Sequence, residues 1–275
     1  MNNEIIYDKV NNEFICADGQ SLGIANLMWH IIGACNLSCD HCFAQKSKNK
    51  FDVSKLELFV KIFKNLGVKK IDLSGGEPLL FGDLDKVCFA LKENDIPFTI
   101  TSSGFVGSDK QNWLLDNHEL FARVILSVNA PNAAIHEGIN HGKGSFDSVC
   151  GLAKRLSERN ALLRINTVCT EKICNADTAK EFVEFINRIS PIEWCVIQEY
   201  CADESVTRRI YDDFLREINK QALSPKIKLI TREKKLYRDY YVLDESGFLY
   251  LRGKEDKRLP LESPDIEKFL EENCQ

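Results

Sequence analysis

Six short strand-like runs alternate with helical segments along most of this chain, and that alternation limits the folds open to it. Met28 to Gly33, Lys70 to Leu73, Phe98 to Thr101, Arg123 to Val128, Ala161 to Thr170 and Glu193 to Glu199 read as strands. Between them lie Val53 to Leu66, Leu84 to Glu93, Asn112 to His118, Phe146 to Glu158 and Ala176 to Ile189, which read as helices. The first of these repeats Leu56, Leu58, Phe59, Ile62, Phe63 and Leu66 at helical spacing. Strands alternating with helices imply a parallel sheet with right-handed crossovers. Functional loops then belong at the carboxyl ends of the strands.

The fold expected is α/β: a partial (β/α)6 barrel of the TIM type over residues 28–200. Residues 1–27 form an extension in which Ile5 to Ile15, broken by Asn11 and Asn12, reads as a β-hairpin. Residues 201–275 form a second extension, expected to close one side of the barrel mouth. It holds a helix from Val206 to Ala222, a hairpin of Tyr240 to Leu243 with Phe248 to Leu251, and a helix from Asp265 to Asn273.

With 275 residues and 44 % hydrophobic content the chain can bury a sizeable core. A net charge of −5 argues against coating nucleic acid. No apolar run reaches the roughly 18 residues a membrane span requires, and no secretory leader is recognisable. Eleven cysteines in such a chain suit free thiols in a reducing cytoplasm better than a disulfide scaffold.

Cys35, Cys39 and Cys42 lie in ACNLSCDHCF, and Ser74 to Pro78 read SGGEP about thirty residues later. Both strings follow strand-like runs. Three thiolates on one loop suit three irons of a 4Fe–4S cluster, whose full set is normally four cysteines. One iron then stays open to an outside ligand. Gly75 and Gly76 let a backbone approach a ligand closely, and Glu77 offers a carboxylate to an ammonium group. A cofactor with an amino-acid end satisfies both. Alone, the cysteine string also fits a zinc knuckle with His41 as a fourth ligand, and SGGEP also fits an ordinary turn. Their joint occurrence in this order disfavours zinc.

The pair resembles the radical S-adenosylmethionine (SAM) superfamily, and within it the chain looks most like the viperin family. The resemblance runs from about Met28 to Phe269, on CNLSCDHCFA, KKIDLSGGEPLL, LLRINTVCT, SPIEWCVIQ and YYVLDESGFLYL. It implies one 4Fe–4S cluster and reductive cleavage of SAM to methionine and a 5′-deoxyadenosyl radical. In viperins that radical takes hydrogen from C4′ of a nucleoside triphosphate, and loss of the 3′-hydroxyl leaves a 3′-deoxy-3′,4′-didehydro nucleotide used in antiviral defence. The resemblance also implies a flavodoxin- or ferredoxin-type electron donor. The amphipathic N-terminal helix that animal viperins use on lipid surfaces has no counterpart here.

Carried over residue by residue, Cys35, Cys39 and Cys42 match the cluster ligands, and His41 the position whose backbone meets adenine. Ser74, Gly75, Gly76 and Glu77 match the methionine-binding turn, and Ser127 and Asn166 the ribose-binding positions. His141, with Lys143 near it, stands where an arginine would hold the SAM carboxylate. Lys70 and Arg164 fall at basic positions that contact the substrate triphosphate, and Tyr240 at a tyrosine that donates hydrogen late in the reaction. Lys254, beside Lys257, falls near a substrate-binding lysine; a solvated loop is the plainer reading.

Two departures favour an alternative, a radical SAM enzyme acting on another small molecule or a peptide. Glu193 and Cys195 replace an arginine and a lysine that bind phosphate. Alternation puts both on one face. A carboxylate a few ångströms from a phosphate oxygen is repelled by about 4 kcal/mol at an effective dielectric near 20. Cys195 reads either as a hydrogen donor or as a packed core thiol. Cys169 with Cys174, or Cys195 with Cys201, are candidates for a second cluster, though a single cluster is favoured. Cys16, Cys88 and Cys150 read as packing residues, and His30 as a satisfied strand residue.

Overall fold

The structure is a computed structural model that describes residues 5–8, 13–16, 24–44, 46–199, 206–233 and 240–273. In chain order the elements are β1 (Ile5–Asp8), β2 (Glu13–Cys16), β3 (Leu27–Ile32), α1 (Leu56–Asn65), β4 (Ile71–Gly75), α2 (Leu84–Glu93), β5 (Phe98–Ser102), α3 (Ser108–Asp116), β6 (Arg123–Ser127) and α4 (Ala133–Asn140). There follow α5 (Ser145–Glu158), β7 (Leu163–Cys169), α6 (Ala176–Ile189), β8 (Glu193–Gln198), α7 (Arg208–Asn219), β9 (Lys228–Arg232), β10 (Tyr241–Leu243), β11 (Phe248–Leu251), β12 (Arg258–Pro260) and α8 (Ile266–Asn273). All six expected strands are present, the pairing is mostly parallel, and the class is α/β. Three elements were not expected: α4, β9 and β12. β1 pairs antiparallel with β2 as expected, while Asn11 and Asn12 lie outside the described residues.

The chain divides into two compact units, residues 1–33, 47–99 and 238–275 in one and 34–46 and 100–237 in the other. β5 carries residues of both. In the first unit the hydrogen-bonded order is β12-β11-β10-β3-β4. β10 and β4 run parallel to β3 on either side, and β11 and β12 fold back antiparallel. The core follows from alternation along β3. Leu27, Trp29 and Ile31 are fully buried on one face. Trp29 meets Phe51 at 4.8 Å, Phe63 at 5.2 Å and Phe59 at 6.3 Å between ring centroids. Phe59 and Phe63 come from α1, whose buried stripe also includes Leu56 and Val60. Met28 and His30 therefore point to the other face, where His30 stands in register with Ser74.

In the second unit β6, β7, β8 and β9 pair in parallel in that order. α6 starts on Asn175, whose side chain accepts from the Thr178 amide at 2.9 Å, and it buries Phe182, Val183, Phe185 and Ile186. Phe182 packs against Trp194 of β8 with ring centroids 5.5 Å apart. Trp194 thus faces the helix, and Glu193 and Cys195 face away from it.

Two expectations follow for stability. Trp29→Ala should lower the unfolding free energy by about 3–5 kcal/mol, read by chemical denaturation, because its neighbours cannot fill so large a void. Burial, helped by Arg252, pushes the His30 imidazole from 6.5 down to about 4. The folded chain then holds His30 neutral while the unfolded chain protonates it first. This contribution to stability should be full above the unfolded pKa and lost as pH falls from about 6.5 toward about 4. His30→Asn should flatten that part of the profile, and an unchanged profile would contradict the assignment.

Candidate active site

The two motif loops leave β3 and β4, neighbouring parallel strands of the first unit, at their carboxyl ends. At the end of β4, Gly75 takes φ of +134°, and a Cβ there would stand 2.2 Å from the Ile32 carbonyl oxygen. The Gly76 amide donates to that same oxygen at 2.6 Å. Only glycine permits this approach. The chain then turns at Pro78–Leu80, and Glu77 caps the turn: its Oε1 accepts from the Leu79 amide at 3.1 Å. Glu77 is wholly buried, so its carboxylate is fixed rather than solvated.

The cysteine loop, residues 34–46, belongs to the second unit and has no helix or strand of its own. The Cys42 amide donates to the Cys39 carbonyl at 3.1 Å, and the Leu37 amide to Cys35 Sγ at 3.4 Å. Burial, then the nearby Cys42 and Cys35, push the Cys39 thiol up to about 12. Cys35 and Cys42 thus lie near enough to Cys39 to act on its thiol. Among the described residues no three His, Cys, Asp or Glu side chains are grouped to hold a single metal ion. Burial lowers the His41 pKa to about 4, and its Nε2 lies 3.4 Å from the Asn129 side-chain amide nitrogen. As a donor set, three cysteine thiolates on one loop suit an iron–sulfur cluster with one iron left open.

Ser127, Asn166 and Cys195 form one cross-strand row on β6, β7 and β8. By alternation the row lies on the face turned away from Trp194 and α6. Asn166 Oδ1 is buried there with no hydrogen-bond partner among the described residues. Cys195 is fully buried, and burial raises its pKa.

One residue pair back along the same face lie Arg164 and Glu193, the latter in register with Lys228. Arg164 Nε and Nη2 donate to Glu193 Oε2 at 2.7 and 2.6 Å, and Arg123 Nε reaches the same oxygen at 3.1 Å. Glu193 therefore meets guanidinium groups rather than leaving a bare negative charge. Sequence reasoning missed Arg123 and this pairing, because the contact depends on the register of three strands. Its only trace is a charged residue at the amino end of each of the three strands.

The remaining candidates sit elsewhere. Lys70 immediately precedes β4, at the end opposite the glycine turn, with Nζ 3.8 Å from Asp72 Oδ1. Tyr240 precedes β10 on the Met28 and His30 face; Arg252 Nη1 hydrogen-bonds its hydroxyl, and the guanidinium lies 5.3 Å over its ring. Arg252 was also missed. Lys254 is exposed in the turn after β11. His141, expected on a cofactor carboxylate, has its Nε2 2.5 Å from Asp40 Oδ1 instead. Cys88 and Cys169 are buried, Cys150 and Cys174 are half-buried, and Cys201 lies outside the described residues.

Known proteins share this fold. The fold matches SuiB of Streptococcus suis bound to S-adenosylmethionine with TM-score 0.71 at 17% identity, over 92% of this chain and 66% of SuiB. It matches anSMEcpe with bound AdoMet at TM-score 0.71 and 17% identity, over 90% of this chain and 81% of that one. In sequence, an S-adenosylmethionine-dependent nucleotide dehydratase of Thermoplasmatales archaeon (strain ISO4-H5) is 27% identical over 164 residues, 59% of this chain. A GTP 3′,8-cyclase of Aliarcobacter butzleri (strain RM4018) is 25% identical over 238 residues, 83% of this chain and 72% of the cyclase. The match spans only 57% of the dehydratase's length. The Radical SAM superfamily profile matches residues 29–188, more than half of the chain and the stretch that carries both motif loops, and the chain belongs to that superfamily.

Proposed function

We propose that this radical SAM enzyme is a viperin-like dehydratase acting on a nucleotide, with one 4Fe–4S cluster on Cys35, Cys39 and Cys42. When bound, the cluster and SAM supply a carbon radical able to take hydrogen from an unactivated C–H bond. The protein places the reactants and excludes water. In this reading Ser74, Gly75 and Gly76 present backbone to the methionine end of SAM, and the buried Glu77 carboxylate meets its ammonium group. The unmatched Asn166 Oδ1, beside Ser127, suits a ribose hydroxyl as donor. Tyr240 serves as a hydrogen donor held by Arg252. His41 lines the adenine end through its backbone.

The observation that carries the nucleotide is the likeness over 164 residues to a relative named for nucleotide dehydration. A GTP cyclase among the relatives also has a nucleotide in its name. A second reading, a different small molecule or a peptide, is favoured by one contact: Arg164 is 3% exposed and commits its guanidinium to Glu193. A substrate that met this floor would find both arginines already sharing a carboxylate.

Three measurements bear on these readings. Anaerobic SAM cleavage should be stimulated at least about tenfold by one of CTP, UTP, GTP, ATP or their monophosphates, a gain worth about 1.4 kcal/mol. Stimulation by none of them would transfer the case to the second reading. Glu77→Gln keeps an acceptor for the Leu79 amide but loses the charge. It should keep its iron yet bind SAM about 10–100-fold more weakly in calorimetry, as loss of a charge-assisted contact of about 1.5–3 kcal/mol requires. Unchanged affinity would remove Glu77 from the site. Glu193→Ala should cost about 3–5 kcal/mol of stability, because it leaves the buried Arg164 guanidinium, and the half-buried Arg123 beside it, without their carboxylate. A neutral result would show that the arginines find other anions.

A further inference from the structure

The cysteine loop owes its shape to contacts made by the residues between its cysteines. The Ser38 amide donates to the Asn140 carbonyl and the Asp40 amide to the Ile139 carbonyl, each at 3.1 Å, so the loop satisfies carbonyls at the carboxyl end of α4. Leu37 is buried against Gly142, where a Cβ would stand 2.2 Å from its Cδ2. Asp40, between Cys39 and His41, is shared by an imidazole and an ammonium group from two further places in the chain. Its Oδ1 lies 2.5 Å from His141 Nε2 and its Oδ2 2.9 Å from Lys172 Nζ. His141 ends α4 in the left-handed conformation, φ 53°. Lys172 lies in the turn after β7, and its Nζ also reaches the Gly138 carbonyl at 3.5 Å.

We propose that Asp40 is a positioning residue for the cluster: its carboxylate, bridging His141 and Lys172, latches the Cys39–Cys42 turn onto the end of α4 and presents the thiols already shaped for the metal. The inference rests on Cys35, Cys39 and Cys42 being the cluster ligands. Each carboxylate oxygen has its own partner, His141 or the Lys172 ammonium, so the turn is held from two directions. The three side chains are 44%, 51% and 53% exposed, so the latch is electrostatic and open to screening by salt. Backbone hydrogen bonds and the Leu37 contact lack that sensitivity, and this separates the latch from ordinary packing.

The test is the rate at which the anaerobically reconstituted full chain loses iron to a chelator, at about 20 mM and about 0.5 M salt. At low salt Asp40→Ala should lose its cluster about three- to tenfold faster than wild type, the range expected when an exposed ion pair and an exposed hydrogen bond are lost together. High salt should bring wild type toward the variant's rate and leave the variant unchanged. Lys172→Met should show part of the effect and Lys172→Arg should restore it. Lys172 is exposed, so these two variants carry the test if Asp40→Ala fails to fold. Equal rates for wild type and variants, or an effect indifferent to salt, would overturn the proposal while leaving the cluster ligands standing. A wild-type chain that takes up no iron would overturn both.

Discussion

Parallel pairing of β3 with β4 ends in a backbone contact that no side chain can share, and both motif loops depend on it. Gly76 donates to the Ile32 carbonyl, and Gly75 lies against that same oxygen. The chain then leaves each strand at once, into the cysteine loop from Gly33 and into the Glu77 turn from Gly76. The cysteine loop is pinched at its base. Gly33 donates to the Asn49 carbonyl at 2.9 Å, Ser47 returns to the Gly33 carbonyl at 3.3 Å, and Phe51 reaches the Ile31 carbonyl at 2.8 Å. Ser47 is tied in turn to Glu245, in the turn between β10 and β11. A loop with no regular structure is thereby held at its root by the strand that launches it.

Charge inside the second unit follows a similar economy. Arg164 and Glu193 are buried, and alone each would be costly to desolvate. Together with Arg123 they satisfy much of one another's need, on the sheet face opposite the helices. The polar row of Ser127, Asn166 and Cys195 lies one step further toward the carboxyl ends of the same strands. Polar groups on this face are thus graded, from ion pairs at the amino ends to neutral hydrogen-bonding groups nearer the loops. Neutral groups with open hydrogen-bonding capacity are what a bound ribose would use.

Much of this was legible in the sequence, for physical reasons that also mark its limits. β3 to β8 are short apolar runs bounded by polar turns, and α1 and α6 show clear buried stripes. β9 was missed because KLITR is an edge strand, half-exposed and rich in charge, so it lacks the apolar run of a buried strand. α4 is eight residues long and contains Gly138 and Asn140, poor helix formers. β12 is three residues long and ends in Pro260. At the site, the cysteine spacing and the glycine pair were readable because each encodes a local geometry. The commitments of Arg164, His141 and Asp40 were not, because they depend on side chains 29 and 101 residues apart in sequence.

The central claim is that one loop with three cysteines carries a cluster with an iron left for SAM. Iron and sulfide analysis with electron paramagnetic resonance of the reduced, anaerobically reconstituted chain tests it most directly. About four irons per chain, a spectrum that changes on adding SAM, and loss of the signal in each of Cys35→Ala, Cys39→Ala and Cys42→Ala are the results this account requires. One zinc per chain, or a cluster that survives any two of those substitutions, would contradict it.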